Sequence, residues 1–327
     1  MSEDISRTIT YLRISITDRC NFRCTYCTPK DGSDLVSQYH VATYEEILKI
    51  VKICIKLGIT KVRVTGGEPF VRKGLLDFLT NLCLFPELKD ISVTTNGSLL
   101  NKETLKALYE MGIHRLNFSL DTLKREKFRT ITGSDCFEKV LENIHTALDI
   151  GMAPVKINTV LLRGINDDEI ADLAELSVEN PFHVRFIEYM PIGSTSIRLD
   201  QQILTPEVKQ VLKERFGELE PVLKGDFDGP AKRFRIKEAK GEIGFITPVS
   251  NHFCSSCNRI RLVATGGLRP CLLNDRETDI LTPLRSGASC GTIEDLVLQT
   301  IKSKPSAHNL ADTSRTCVTG QMTSIGG

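Results

Sequence analysis

Three cysteines, Cys20, Cys24 and Cys27, fall within eight residues as C-x3-C-x2-C. Thiolates that close together converge on one small object. A structural zinc takes four nitrogen or sulfur ligands, and the nearest further candidate, His40, lies beyond a Gly-containing loop. Three thiolates on a four-iron cubane instead leave one iron open, where a ligand can bind and an electron can leave. A second trio, Cys254, Cys257 and Cys271, reads C-x2-C-x13-C. Its spacing admits a second cluster with a free corner, a zinc site that borrows His252, or one site shared by both trios. Arg259 and Arg261 follow the second trio's first pair, and Arg269 precedes its last cysteine. Cations beside an open cluster suit an anionic substrate; the bland alternative is a solvated basic loop. Cys54, Cys83, Cys136, Cys290 and Cys317 have no partner spacing, and Cys54 reads as a small core residue.

Composition narrows the setting of this chemistry. The chain has 327 residues, 41% hydrophobic and 25% charged, with 42 basic against 41 acidic side chains. That balance argues against binding nucleic acid by bulk charge and against a polybasic membrane anchor. No apolar run reaches membrane-spanning length, and Met1 to Thr10 is polar. The expectation is a soluble, cytoplasmic protein. Eleven cysteines cannot all pair, and a reducing compartment disfavours disulfides.

The elements that must hold these residues alternate along the first two-thirds of the chain. Extended runs are expected at Tyr11–Ile16, Lys61–Thr65, Ile91–Thr95, Arg115–Ser119, Val155–Val160 and His183–Ile187. Between them, Thr43 with Glu46 forms a capping box for a helix stopped at Gly58. Asn101 caps a helix ended by Gly112. Phe137, Val140, Leu141, Ile144 and Leu148 mark one stopping at Gly151, and Asn166 or Asp167 opens another. Thr205 and Pro206 are expected as cap and first turn of a helix running to Gly217. Six strand–helix repeats imply parallel strands with helices outside, as a barrel or a doubly wound sheet. An α/β protein follows. The Gly-, Pro- and Asp-rich stretch from Pro221 to Pro230 divides it into 1–220 and 221–327.

Five of the six strands have one apolar and one polar face. Arg13 and Ser15 oppose Leu12 and Ile14; Lys61, Arg63 and Thr65 oppose Val62 and Val64; Lys156 and Asn158 oppose Val155 and Ile157. Alternate side chains take opposite faces, so apolar faces meet the helices and polar faces line an interior. A small closed barrel fills its interior with branched apolar side chains. A cationic interior points to a wider or incomplete barrel around an anionic ligand. The sixth strand is expected to break the pattern, with Arg185 and Glu188 on opposite faces. Small polar motifs follow successive strands: Thr65-Gly66-Gly67-Glu68-Pro69, Thr94-Thr95-Asn96-Gly97, Ser119-Leu120-Asp121 and Glu188-Tyr189-Met190. Such folds bind ligands at the carboxyl ends of strands.

C-x3-C-x2-C with Tyr26 before its last cysteine, followed by Gly66-Gly67-Glu68-Pro69, resembles the radical S-adenosylmethionine (SAM) enzymes. The stretches Thr17–Cys24, Arg185–Met190 and Cys254–Arg261, with the terminal Ile325-Gly326-Gly327, are similar to the MoaA family, the GTP cyclases of molybdenum-cofactor biosynthesis. The likeness spans nearly the whole chain, with Thr28 a departure where many relatives carry a larger apolar residue. It implies an incomplete (β/α)6 TIM-like barrel with a C-terminal iron–sulfur domain and a diglycine tail. It implies two [4Fe-4S] clusters, on Cys20, Cys24 and Cys27 and on Cys254, Cys257 and Cys271. Tyr26, Gly67, Ser119 and Met190 would contact SAM; Arg13, Lys61, Arg63, Thr94, Lys156, Arg259 and Arg261 would contact GTP. The catalytic set would be the first cysteine trio, Arg13, Arg259, Arg261, Gly326 and Gly327.

The implied reaction converts GTP to (8S)-3′,8-cyclo-7,8-dihydroguanosine 5′-triphosphate. A 5′-deoxyadenosyl radical takes hydrogen from ribose C3′, and the carbon radical attacks guanine C8. Implied partners are a reductant protein, a second copy of the chain as homodimer, and a downstream cyclic pyranopterin monophosphate synthase; neither nucleic acid nor membrane is among them. Two other readings compete: a peptide-modifying radical SAM maturase with an auxiliary cluster, and a non-enzymatic metal- or nucleotide-binding module.

Overall fold

The structure is a computed structural model and describes residues 7–29, 35–223, 225, 229–308, 318 and 320–326. All six expected strands are present: β1 (Tyr11–Ser15), β2 (Lys61–Thr65), β3 (Asp90–Thr95), β4 (Arg115–Ser119), β5 (Lys156–Leu161) and β6 (His183–Glu188). They lie side by side in chain order and all run parallel. A doubly wound sheet reverses its order at a switch point. This one does not, which leaves the barrel.

The rest of the chain adds β7 (Glu220–Pro221), β8 (Lys232–Arg235), β9 (Glu242–Ile246), β10 (Arg259–Leu262), β11 (Gly267–Arg269) and β12 (Thr278–Asp279). The result is one twelve-stranded sheet among the described residues, ordered β12-β11-β10-β1-β2-β3-β4-β5-β6-β9-β8-β7. β10 runs parallel to β1 and β9 parallel to β6, so the parallel run is eight strands long where six were expected. β7 and β12 stand at opposite ends of the order, and the barrel stays incomplete.

Helices cover the outside because the alternation in the strands demands it. Leu12, Ile14, Val62, Val64, Val93, Leu116, Phe118 and Ile157 join Ile47, Ile50, Leu79, Leu105 and Val140 of the helices in one core. The capping box forms as expected: the Glu46 amide donates to the Thr43 hydroxyl at 3.2 Å, and the Thr43 amide donates to the Glu46 carboxylate at 2.7 Å. The Asn101 side chain caps its helix by accepting from the Thr104 amide at 2.8 Å. Thr205 differs from expectation. It is the first helical residue of Thr205–Phe216 and follows an extended Leu204. Its amide donates to the Glu188 carboxylate at 2.9 Å, so a side chain from β6 replaces the hydroxyl cap. The helix Arg125–Thr132 packs behind the first cysteine loop, taking hydrogen bonds from the Arg23 and Thr25 amides at 2.8 and 2.9 Å.

Candidate functional site

Both cysteine trios line one cavity at the carboxyl ends of the parallel strands. Strand register explains the cations on its wall. Arg13 stands beside Arg63 on one side and Arg261 on the other, and Asn158 stands beside Arg185. Arg13, Arg63, Arg185, Arg259 and Arg261 all face the cavity, with Thr94, Ser119 and Asn158 between them. The sixth strand therefore keeps the alternation: Arg185 and Ile187 point inward. Glu188, at the strand's end, is tied down by the amides of Thr205, Val249 and Ser250.

Two expected phosphate ligands sit elsewhere. Lys61 and Lys156 lie near the amino ends of their strands and are not part of the cavity wall. The Lys61 ammonium is 2.7 Å from Asp90, which also pairs with Arg115 at 3.2 Å. Lys156 is 2% exposed. Burial, with Arg185, Arg115, Arg63 and Lys61 around it, drives its pKa down to about 5.

The first trio is built by backbone packing. The Cys27 and Thr28 amides both donate to the Cys24 carbonyl at 2.9 Å, closing a tight turn. The glycine pair of the second strand's loop braces it: a Cβ at Gly67 would stand 2.3 Å from the Arg19 carbonyl oxygen, and one at Gly66 2.7 Å from that of Thr17. These glycines permit contact with the cysteine loop's own backbone. The next residue, Glu68, is held by the Thr95 hydroxyl at 2.8 Å and the Asn96 amide at 2.7 Å, and burial pushes its carboxyl up to about 7. Tyr26 donates to Asp121 at 2.7 Å, and burial raises Asp121 to about 6. Gly67, Tyr26, Ser119 and Met190 all face the cavity.

The two trios differ in charge. Burial pushes the Cys20 and Cys27 thiols up to about 11 and about 12 and raises Cys24 as well. Burial acts on Cys257 in the same sense, but Arg259 and Lys304 outweigh it and bring that thiol down to about 6. Members of each trio feel one another electrostatically. Yet among the described residues no three Cys, His, Asp or Glu side chains form a group that could hold a single metal ion. Three soft thiolates are a donor set that fits an iron–sulfur cluster. His40 and His252 are exposed and outside the cavity wall, and His252 packs on His308 at 5.4 Å. Cys54 is a core residue, and Cys317 lies outside the described residues.

The tail also reaches this region. The Gly326 carbonyl accepts a 2.5 Å hydrogen bond from Arg261. Its φ is +85°, and a Cβ there would stand 2.9 Å from Thr65 and 3.0 Å from Ser15. Only glycine takes this conformation and this space without strain. Gly327 lies outside the described residues. Gly326→Ala is expected to lower turnover on the order of tenfold to a hundredfold, the scale of an ångström-sized misplacement, while thermal unfolding stays near that of the parent; steady-state kinetics beside a melting curve checks this.

The fold and the cysteine loop define a radical SAM protein, and the Radical SAM superfamily model matches residues 14–177. A second model, Molybdenum Cofactor Synthesis C, matches residues 182–310. The GTP 3′,8-cyclase of Thermodesulfovibrio yellowstonii is 46% identical over 93% of this chain and 94% of its own length. That of Pelotomaculum thermopropionicum is 44% identical over the full length of both. The chain belongs to the GTP 3′,8-cyclase family of radical SAM enzymes. Streptococcus suis SuiB, solved bound to S-adenosylmethionine, shares the fold at a TM-score of 0.60 and 17% identity, over 84% of this chain and 63% of that one. No helix among the described residues is long and apolar enough to cross a membrane.

Sequence reasoning missed Arg185, Asp121 as the acceptor for Tyr26, and Lys304. Arg185 was legible from the alternation itself. Lys304 carries no local signal.

Proposed function

We propose that this chain converts GTP to (8S)-3′,8-cyclo-7,8-dihydroguanosine 5′-triphosphate, opening molybdopterin biosynthesis. Family membership carries the reaction, and the observation that supports it here is a single cavity walled by two cysteine trios and five arginines. SAM and an iron–sulfur cluster, when bound, supply the 5′-deoxyadenosyl radical that takes hydrogen from ribose C3′ before that carbon joins guanine C8. Cys20, Cys24 and Cys27 hold this first cluster. Tyr26, Gly67, Ser119 and Met190 position SAM against it.

Cys254, Cys257 and Cys271 would hold a second cluster, which would supply a binding point for the guanine. Arg13, Arg63, Thr94, Arg259 and Arg261 bind GTP; Lys156, behind the wall and held down to about 5 in the free protein, joins them by taking up a proton when the phosphates arrive, and Lys61 reaches them only if its pair with Asp90 opens. Arginine suits this task because its fork matches phosphate oxygens in pairs. The protein's work is positioning and exclusion of quenching groups. Gly326 steadies Arg261 through its carbonyl, and Gly327 follows it in the catalytic set. We divide the chain at residue 220 into a part that carries the first trio and six barrel strands (1–220) and a cluster-binding region (221–327) that adds β9 and β10 to the same sheet. We place it in the cytoplasm, where thiolate ligands survive, served by a reductant protein, paired as a homodimer, and passing its product to cyclic pyranopterin monophosphate synthase.

The test is anaerobic reconstitution with iron counting, then incubation with SAM, reductant and GTP. About eight irons per chain and GTP-dependent 5′-deoxyadenosine with cyclised product are expected. Bound zinc, or fewer than about six irons, overturns the two-cluster reading; 5′-deoxyadenosine without cyclised product overturns the substrate.

A further inference from the structure

Lys304 lies just past the helix Cys290–Lys302. A lysine there ordinarily serves the last carbonyls of its own helix. This one turns away from them. Its ammonium donates to the Arg259 carbonyl and to the Pro270 carbonyl, each at 2.7 Å. Those carbonyls belong to two separate segments, one just after Cys257 and the other just before Cys271. The ammonium and the Cys257 thiol also lie close enough to act on each other electrostatically. Arg7 fastens the third piece, donating to the Cys254 carbonyl at 2.5 Å and to the Pro305 carbonyl at 2.8 Å. The base of this arrangement is rigid, since Ile293 and Val297 of the helix are in the core.

We propose that Lys304 is the positioning residue of the second sulfur trio, joining the Cys257 and Cys271 segments and placing a fixed positive charge beside Cys257 that favours the electron-rich state of whatever cluster the trio holds. This rests on the two-cluster reading above. Adding an electron to a cluster adds negative charge, and a cation within a few ångströms lowers the cost of that step in a partly dry site. Arg259, 3.7 Å from the Cys257 sulfur, acts in the same sense, and both cations line the cavity; what sets Lys304 apart is that its ammonium is held by two main-chain carbonyls, one from each cysteine segment.

The experiment uses full-length chain reconstituted with iron and sulfide, titrated electrochemically and followed by electron paramagnetic resonance. The second cluster's signal is the one missing from Cys257→Ala. In Lys304→Met that signal is expected to fall in midpoint potential, so that its reduced-to-oxidised ratio at fixed potential drops about tenfold, which is about 59 mV for one electron. The signal of the first cluster stays in place, and Lys304→Arg stays close to the parent. Loss of about four irons from Lys304→Met but not from Lys304→Arg supports the joining role equally. An unchanged Cys257-dependent signal with full iron, or two signals moving together, overturns the inference. A parent chain with no Cys257-dependent signal instead overturns the two-cluster reading on which it stands.

Discussion

Cys24→Ala is expected to reduce 5′-deoxyadenosine formation to background, whereas Cys257→Ala is expected still to cleave SAM, at least in part, and to form no cyclised product. The two cysteines line one cavity but belong to different trios with different anchors. Cys24 supplies the carbonyl on which the Cys27 and Thr28 amides close their turn, and its loop is braced by Gly66, Gly67 and the helix Arg125–Thr132. Cys257 is tied to Cys254 by a 3.1 Å backbone bond and sits among Arg259 and Lys304. Among the described residues, none of these backbone supports of the first trio passes through the second. Chromatography of 5′-deoxyadenosine and of the cyclised nucleotide, from anaerobic reactions with equal iron loading, separates the cases. Retained SAM cleavage by Cys24→Ala would show that the first trio is misassigned. Full cyclisation by Cys257→Ala would remove the second trio from substrate chemistry.

GTP binding is expected to take up close to one proton at neutral pH, and Lys156→Met to abolish the uptake. In the free protein, burial and four neighbouring cations hold Lys156 down to about 5, so at pH 7 it is neutral. Among the described residues nothing gives its ammonium an anion. A triphosphate in the cavity supplies one and raises the group's affinity for a proton. The sign is fixed by linkage: binding takes up protons, so affinity falls as pH rises from about 5 toward the pKa of the complex. Folding of the free chain runs the other way. The folded pKa lies below the ordinary value of 10.5, the unfolded chain holds more protons, and this group's contribution to stability rises with pH across that window. Lys156→Met is expected to weaken GTP binding by about 1.5–3 kcal/mol, the range for hydrogen bonds to charged groups. Calorimetry in buffers of different ionisation heat measures both effects. Equal uptake by parent and variant would place the phosphates out of reach of this lysine.

The strands and the arginine row were legible because both rest on a period of two. Arg13 and Arg63 could be assigned to one face from neighbours alone, and register then brought them together. Lys61 obeys the same alternation yet is answered by Asp90, one strand over; only strand pairing reveals that partner. β9 and β10 are short and lie far in sequence from β6 and β1, so no local pattern announced that they lengthen the parallel run. The cysteine trios were plain from spacing, but spacing left their cargo open, and whether His40 or His252 stands beside a trio depends on folding that no local pattern encodes. Lys304 acts through main-chain carbonyls, which every residue possesses, and so left no compositional trace.

The continuity of the sheet bears on how the chain can be divided. Cutting it after residue 220 would strip β10 from β1 and β9 from β6, baring unsatisfied hydrogen-bonding rims on both flanks of the amino-terminal fragment. Such rims recruit any available strand. A fragment carrying only the first trio would meet its own copies there before it met a nucleotide, so co-expressed halves, each offering the other its missing neighbours, make the sounder starting point for dissecting the two centres.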